Sequence, residues 1–206
     1  MSQLQAADLT SGREAPSVEV RLRDGALATL RPLHRGETGP LLAVFDGMSD
    51  ASRALRYLVG MSRLPGPMLS MLSDVDGDRH AAWLASLGGE PAGIARYVRL
   101  AGDRATAEVA FEVVDHHHGR GLATVLLDAI TTAAATRGVR RIQGTMAPSN
   151  KASRRLLERV GASARLVDGL LEADGPLSLL NPPVLDRSAV VRLACSGAWD
   201  EDLDIG

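Results

Sequence analysis

Two glutamates, three histidines and two glycines fall between residues 108 and 124 of this chain, in "EVAFEVVDHHHGRGLAT". Glu108, Ala110 and Glu112 alternate. On an extended strand, alternate residues share one face, so both carboxylates can line one cleft and either can act as a general base. The glycines follow in "HGRGLA", residues 118–123, between that strand pattern and a helical one. The first amides of a helix have no internal acceptors and carry partial positive charge. Glycines let an anion approach them, so a strand, a Gly-x-Gly loop and a helix together form a site for a phosphate or pyrophosphate. His116, His117 and His118 suggest a metal, but neighbours on extended backbone point to opposite sides, and zinc needs three or four converging ligands. No metal is expected, and a run of three inside the chain is not a tag.

Two phosphate-binding patterns are excluded by sequence. The P-loop requires Gly-Lys-Ser/Thr after its glycines, which is absent. The dinucleotide fingerprint requires three glycines in an early βαβ unit and an acidic residue about 20 positions on. Here the loop comes late, after strands that read as antiparallel.

The elements that must hold these residues follow from periodicity. "VEVRLRDGALATLRPL", from residue 18, alternates on both sides of Asp24-Gly25, a hairpin signal. Helices are expected over 36–45, over 50–59 with Ser49 or Asp50 as N-cap, and over 68–73 after Pro65-Gly66-Pro67. Strands follow over 81–87, 92–100 and 106–114, the first two joined by a tight turn at Gly88-Gly89-Glu90. Apolar residues at 122, 125, 126, 129, 130 and 133 mark one face of a helix that Gly138 stops. A strand over 139–146, a helix in "NKASRRLLERVGA" ended by Gly161, and a strand over 163–167 complete the regular part. One or two edge strands are expected after Asp168. The order is not a regular βαβ series, so the class is α+β, a mixed α/β single domain. We expect a disordered leader over 1–17, one domain over 18–180, and a C-terminal appendage or tail over 181–206.

Composition narrows the function classes. The chain has 206 residues, 45% hydrophobic and 23% charged, with formal net charge −2. That gives no global basic surface for nucleic acid and no polybasic block for anionic lipid. No window approaches about 18 uninterrupted apolar residues, so no membrane span is expected. The N-terminus has no secretory pattern, and a single cysteine, Cys195, permits no internal disulfide. A cytoplasmic location fits. Of 23 basic residues only Lys151 is lysine. A GC-rich bacterial genome explains this, and so would a lysine-modifying enzyme that avoids modifying itself.

The glycine loop and the two flanking helices resemble the GNAT superfamily of acetyl-CoA-dependent N-acetyltransferases. Its signature is Gln/Arg-x-x-Gly-x-Gly/Ala. Residues 118–123 match at Gly121 and Ala123, with His118 in the first place. Asn150 and Gly161 match the Asn that opens the family's next helix and the Gly that ends it. The resemblance covers about residues 18–167. Within the superfamily, "AEVAFEVVDHHHGRGLAT", "LSDVDGDRHAAWLA" and "SRALRYL" are similar to bacterial Pat-type protein-lysine acetyltransferases. Such enzymes often carry an additional regulatory domain.

The resemblance implies a GNAT-like fold: a central, mostly antiparallel twisted sheet, splayed at the acetyl-CoA site and flanked by helices. It implies acetyl transfer from acetyl-CoA, as cosubstrate, to a primary amine. A protein lysine is the first choice of acceptor and a small amine the second. Glu108 stands where these lysine acetyltransferases place their base, with Glu112 as rival. An N–H near Val113 or Val114, freed by the splay, would polarise the thioester. The amides of His118, Gly119, Arg120, Gly121, Leu122, Ala123 and Thr124 would hold the pyrophosphate, with added charge from Arg120. Asn150 would bond to the cofactor's arm, cap its helix, or both. Many relatives place a Tyr acid seven residues after that Asn. Leu157 stands there, and no acid is assigned. The chain is expected as a monomer or homodimer. A non-catalytic acyl-CoA-binding module and a histidine-based metal protein are the competing classes.

Overall fold

A computed structural model describes residues 16–197 and Trp199. One eight-stranded sheet runs through it, in the order β1-β2-β3-β4-β5-β6-β8-β7. The first five strands are Val18–Arg21, Leu27–Pro32, His80–Leu87, Glu90–Leu100 and Asp103–Val113, all antiparallel to their neighbours. The turn at Asp24-Gly25 joins β1 to β2, as its sequence indicates. Gly88 and Gly89, with φ of 60° and 86°, close the β3–β4 hairpin in the left-handed conformation that such two-residue turns require.

β6 (Arg141–Met146) pairs parallel to β5, reached through the long helix α4 (Leu122–Thr136). Their ladder holds only three residue pairs: Thr106 with Arg141, Ala107 with Ile142 and Glu108 with Gln143. Beyond it β5 runs on to Val113 and β6 to Met146 without pairing to each other. The splay implied by the family resemblance is therefore present, and it begins at Glu108. β7 (Ser163–Val167) and β8 (Leu170–Pro176) form a hairpin that re-enters the sheet. β8 lies between β6 and β7, so the strand after Asp168 is interior rather than an edge.

Helices cover both faces. α1 (Gly39–Asp46), α2 (Asp50–Tyr57) and α3 (Gly66–Ser73) lie on the face that carries Arg96, Glu108 and Glu112. Ser49 caps α2, its side chain accepting from the Ser52 N–H. α4 lies on the opposite face, against β3, β4 and β5. Its residues are buried over almost their whole length because α6 (Arg187–Cys195) covers the side turned from the sheet. α5 (Lys151–Arg159) packs against β6, β7 and β8.

The segment after residue 180 corrects the expectation of an appendage or tail. Val190, Ala194 and Trp199 belong to the main hydrophobic core. Asp128 of α4, fully buried, accepts from the Val184 N–H at 2.8 Å and from Arg187 at 2.8 and 2.5 Å. The Trp199 indole lies against Gly77, where an added Cβ would come within 2.2 Å of the ring. The expected leader over 1–17 lies almost wholly outside the described residues.

Candidate active site

The opening between β5 and β6 widens into a cleft of about 730 Å³. It is bordered by both strands, the glycine loop, α2 and the start of α5. Its size is ordinary for a site that takes a cofactor-sized molecule. Of the residues named from sequence, Glu108, Glu112, Val113, His118, Gly119, Gly121, Leu122, Ala123, Thr124 and Asn150 border it.

The two glutamates have different surroundings. Glu108 is exposed, and its carboxylate has no hydrogen-bond or ion-pair partner among the described residues. Glu112 is buried, its side chain 3% exposed. One of its oxygens takes a very short hydrogen bond from Arg56 Nε, and the other lies 3.6 Å from Arg96. Both oxygens thus face guanidinium groups. Burial alone would lower the Arg56 pKa, but Glu112, Tyr57 and Glu108 outweigh it and the net shift is upward. Arg96 is shifted down, chiefly by its own burial. Burial also pushes the Tyr57 phenol up to about 12, so this hydroxyl stays protonated at neutral pH.

The backbone narrows the sequence expectation at Val113 and Val114. The Val114 N–H donates to the Ala92 carbonyl at 3.0 Å, so it is not free to polarise a thioester. In an antiparallel ladder successive residues turn their polar groups to opposite sides. The Val113 N–H therefore faces the gap left by β6. His118 Nε2 lies 2.9 Å from the Val113 carbonyl oxygen, which fits a tautomer carrying its proton on Nε2. This contact holds the end of β5 to the loop.

The loop presents its amides inward. Gly119 and Gly121 have φ of 78° and 94°, a region that favours glycine. The N–H groups of Gly119, Arg120, Gly121, Leu122 and Ala123 have no protein acceptor among the described residues. His118 N–H and Thr124 N–H are engaged, by the carbonyls of Asp115 and Gly121, so the cradle is shorter at both ends than the sequence indicates. Five free donors at the start of a 15-residue helix fit a pyrophosphate.

Arg120 is already held. Its Nε donates to Asp24 Oδ2 at 2.5 Å, and its Nη1 meets His117 Nδ1 at 2.9 Å. Arg120 is the largest cause of the lowered Asp24 pKa. The β1–β2 turn therefore docks on the glycine loop, with Arg23 beside Gly121. The histidines make separate contacts: His118 to Val113, His117 to Arg120, and His116 tilted against His117 with ring centroids 3.9 Å apart.

On the far wall, Asn150 Oδ1 accepts from the Ser153 N–H at 3.1 Å and so caps α5. Its amide NH₂ remains a donor toward the cleft. Leu157 is buried and packs on Gly144 of β6, where an added Cβ would lie 3.0 Å from Leu157 Cδ1. A hydrocarbon fills the place of the Tyr acid. Since thiols ionise near pH 8.5, a coenzyme thiolate can leave without one. No group of three or more His, Cys, Asp or Glu able to hold a metal occurs among the described residues. No helix there is long and apolar enough to cross a membrane.

Sequence reasoning missed Arg56, Arg96 and the Asp24 contact. Arg96 carried a signal: a charge inside the otherwise apolar "AGIARYV" implies a buried partner.

Comparison with known proteins gives the same reading. The model of the Acetyltransferase (GNAT) family matches residues 52–162. Acetyltransferase Pat of Mycolicibacterium smegmatis is 30% identical over 149 residues, 70% of this chain and 44% of that protein. The chain thus spans less than half the length of that relative. Acetyltransferase PA5475 of Pseudomonas aeruginosa is 27% identical over 144 residues, covering 68% of this chain and 77% of that protein. The crystal structure of the GNAT domain of S. lividans PAT superposes with a TM-score of 0.73 at 29% identity. It covers 78% of this chain and 97% of that one. With the family model matched over more than half its length, and the splayed sheet and glycine loop in place, the chain belongs to the GNAT family of acetyl-CoA-dependent N-acetyltransferases.

Proposed function

We propose that this acetyltransferase acts on a protein lysine side chain and that Glu108 is its general base. The observation that carries the assignment is the unpartnered Glu108 carboxylate at the last β5–β6 pair, where the strands part. An amine is mostly protonated at neutral pH and cannot attack a thioester until it loses that proton. Glu108 takes the proton, directly or through a water. The amine nitrogen then attacks the acetyl carbonyl. The Val113 N–H, turned to the gap, supports the charge that develops on the carbonyl oxygen. The nitrogen–carbon bond forms, the carbon–sulfur bond breaks, and coenzyme A departs as thiolate. The free loop amides hold the pyrophosphate meanwhile, and Asn150 donates to the cofactor's arm.

Glu112 fits a positioning role instead, since its oxygens are taken up by Arg56 and Arg96. Similarity to Pat enzymes in sequence and in domain structure supports the lysine acceptor. Mass spectrometry of a cell lysate incubated with the protein and acetyl-CoA tests it. New acetyl groups on lysine side chains are the expected result. Acetylated small amines with an unchanged lysine profile would reject the protein acceptor.

A further inference from the structure

The wall of the cleft beside Glu108 carries a guanidinium with free donors. Arg56 reaches in from α2 and is fixed by its Nε on Glu112. Its two terminal nitrogens make no hydrogen bond among the described residues, yet they are not sealed from solvent, and the residue borders the cavity. The guanidinium also lies 4.9 Å from the centre of the Tyr57 ring, which limits its rotation. Behind it, Arg96 adds a second buried cation, held by the Leu72 carbonyl and His80. Glu112 is the one carboxylate set between the two arginines. The other carboxylate on this wall, Glu108, is left free by the same arrangement.

The cleft thus presents a free carboxylate on β5 and, reaching over the same face from α2, a guanidinium whose two terminal nitrogens are free, with Glu112 bonded to its Nε. From this geometry we infer that the acceptor carries an anionic group near its amine, the amine going to Glu108 and the anion to the terminal nitrogens of Arg56. Arginine suits this because its planar fork binds a carboxylate through two parallel hydrogen bonds. Both groups border the same cleft. The arrangement suits an acceptor that carries both charges, such as a lysine with an acidic neighbour. A free amino acid with a side-chain amine offers the same chemistry. The inference rests on the acetyl-transfer reading of the cleft and not on the acceptor being a protein.

The experiment compares matched acceptors in two series. One holds peptides with a central lysine flanked by Asp or Glu, by Asn or Gln, or by Arg. The other holds free amino-carboxylates beside their carboxamides. Thiol release from acetyl-CoA gives kcat/KM for each. The expected result is a preference for the anionic member of about tenfold to a hundredfold, the range for a hydrogen bond to a charged group. In Arg56→Lys and Arg56→Gln that ratio collapses, Lys retaining more of it than Gln. Propionate should compete with the acceptor in the unaltered protein while propionamide does not, a readout that does not depend on the variants folding. Equal use of neutral and acidic acceptors, or a ratio that survives in both variants, overturns the inference. Turnover confined to the amino-carboxylates removes the lysine acceptor and leaves the inference standing. An anion preference absent from both series removes the inference while acetyl transfer itself remains.

Discussion

Replacing each of the two cleft glutamates by glutamine separates chemistry from architecture. Glu108 is exposed and unpartnered, so under the proposed assignment Glu108→Gln removes the base and little else. General bases contribute roughly 10²–10⁴ in rate, and kcat/KM for the acceptor should fall by about that factor. An exposed substitution of this kind changes stability by no more than about 0.5 kcal/mol. Glu112 is the reverse case. Its side chain and that of Arg96 are 3% and 4% exposed, and Arg56 is 18% exposed. Breaking a buried charge pair by neutralising one partner costs about 3–5 kcal/mol, because the other partner stays buried and uncompensated. Glutamine keeps one acceptor oxygen for Arg56, which places the expected loss near 3 kcal/mol. In a chain of this size each kcal/mol moves Tm by about 2–4 °C, so Glu112→Gln should melt roughly 6–12 °C lower. Thiol release at 25 °C and thermal unfolding of both variants form the assay. If Glu112→Gln abolishes turnover with Tm unchanged while Glu108→Gln remains active, the base has been assigned to the wrong carboxylate.

Acid should weaken the same wall through His80. Its Nδ1 lies 3.0 Å from the Asp74 carbonyl and its Nε2 lies 3.2 Å from Arg96 Nη1, an arrangement that suits a neutral ring accepting from Arg96. Burial first, and then Arg96, lower its pKa from 6.5 to about 4. Below pH 6.5 the unfolded chain binds a proton that the folded one refuses, so stability falls as pH drops from 6.5 toward 4, by about 3 kcal/mol at most. Urea unfolding across that window should show this slope, and His80→Gln should flatten it; an unaltered slope in the variant would exclude His80 as its source. At the opposite face, Asp128→Asn should cost about 3 kcal/mol in urea unfolding, since it leaves Arg187 uncompensated beside α4. A change below about 0.5 kcal/mol would mean that the segment after residue 180 contributes little to the domain.

What could be read in the sequence, and what could not, divides along the range of the forces involved. The glycine loop, the Asn150 cap and the amphipathic face of α4 are local patterns, and the structure places them within a residue or two of their expected limits. A seven-residue strand carries no periodic signal for its position in a sheet, so the sequence of β8 does not separate an interior place from an edge. Its place between β6 and β7 depends on hydrogen bonds to residues about 30 positions away. The C-terminal segment likewise carries no local signal for where it docks. What fixes α6 is the buried Asp128, a charge on α4 that its apolar pattern does not explain.

The unexplained charges were the signal throughout. An ionised side chain is buried only with a partner or a large cost. Asp128 in α4, Arg96 in β4 and Glu112 in β5 each stand in an apolar pattern, and each is paired with a residue that the pattern cannot name. Two of the three, Arg96 and Glu112, belong to one group with Arg56 at the cleft. In that group Glu112 pairs with both arginines, and Glu108 is left without a hydrogen-bond or ion-pair partner among the described residues. A carboxylate whose two oxygens both face guanidiniums has no oxygen left to offer an incoming amine. The reactivity of one glutamate therefore depends on the burial of the other, four positions along the same strand.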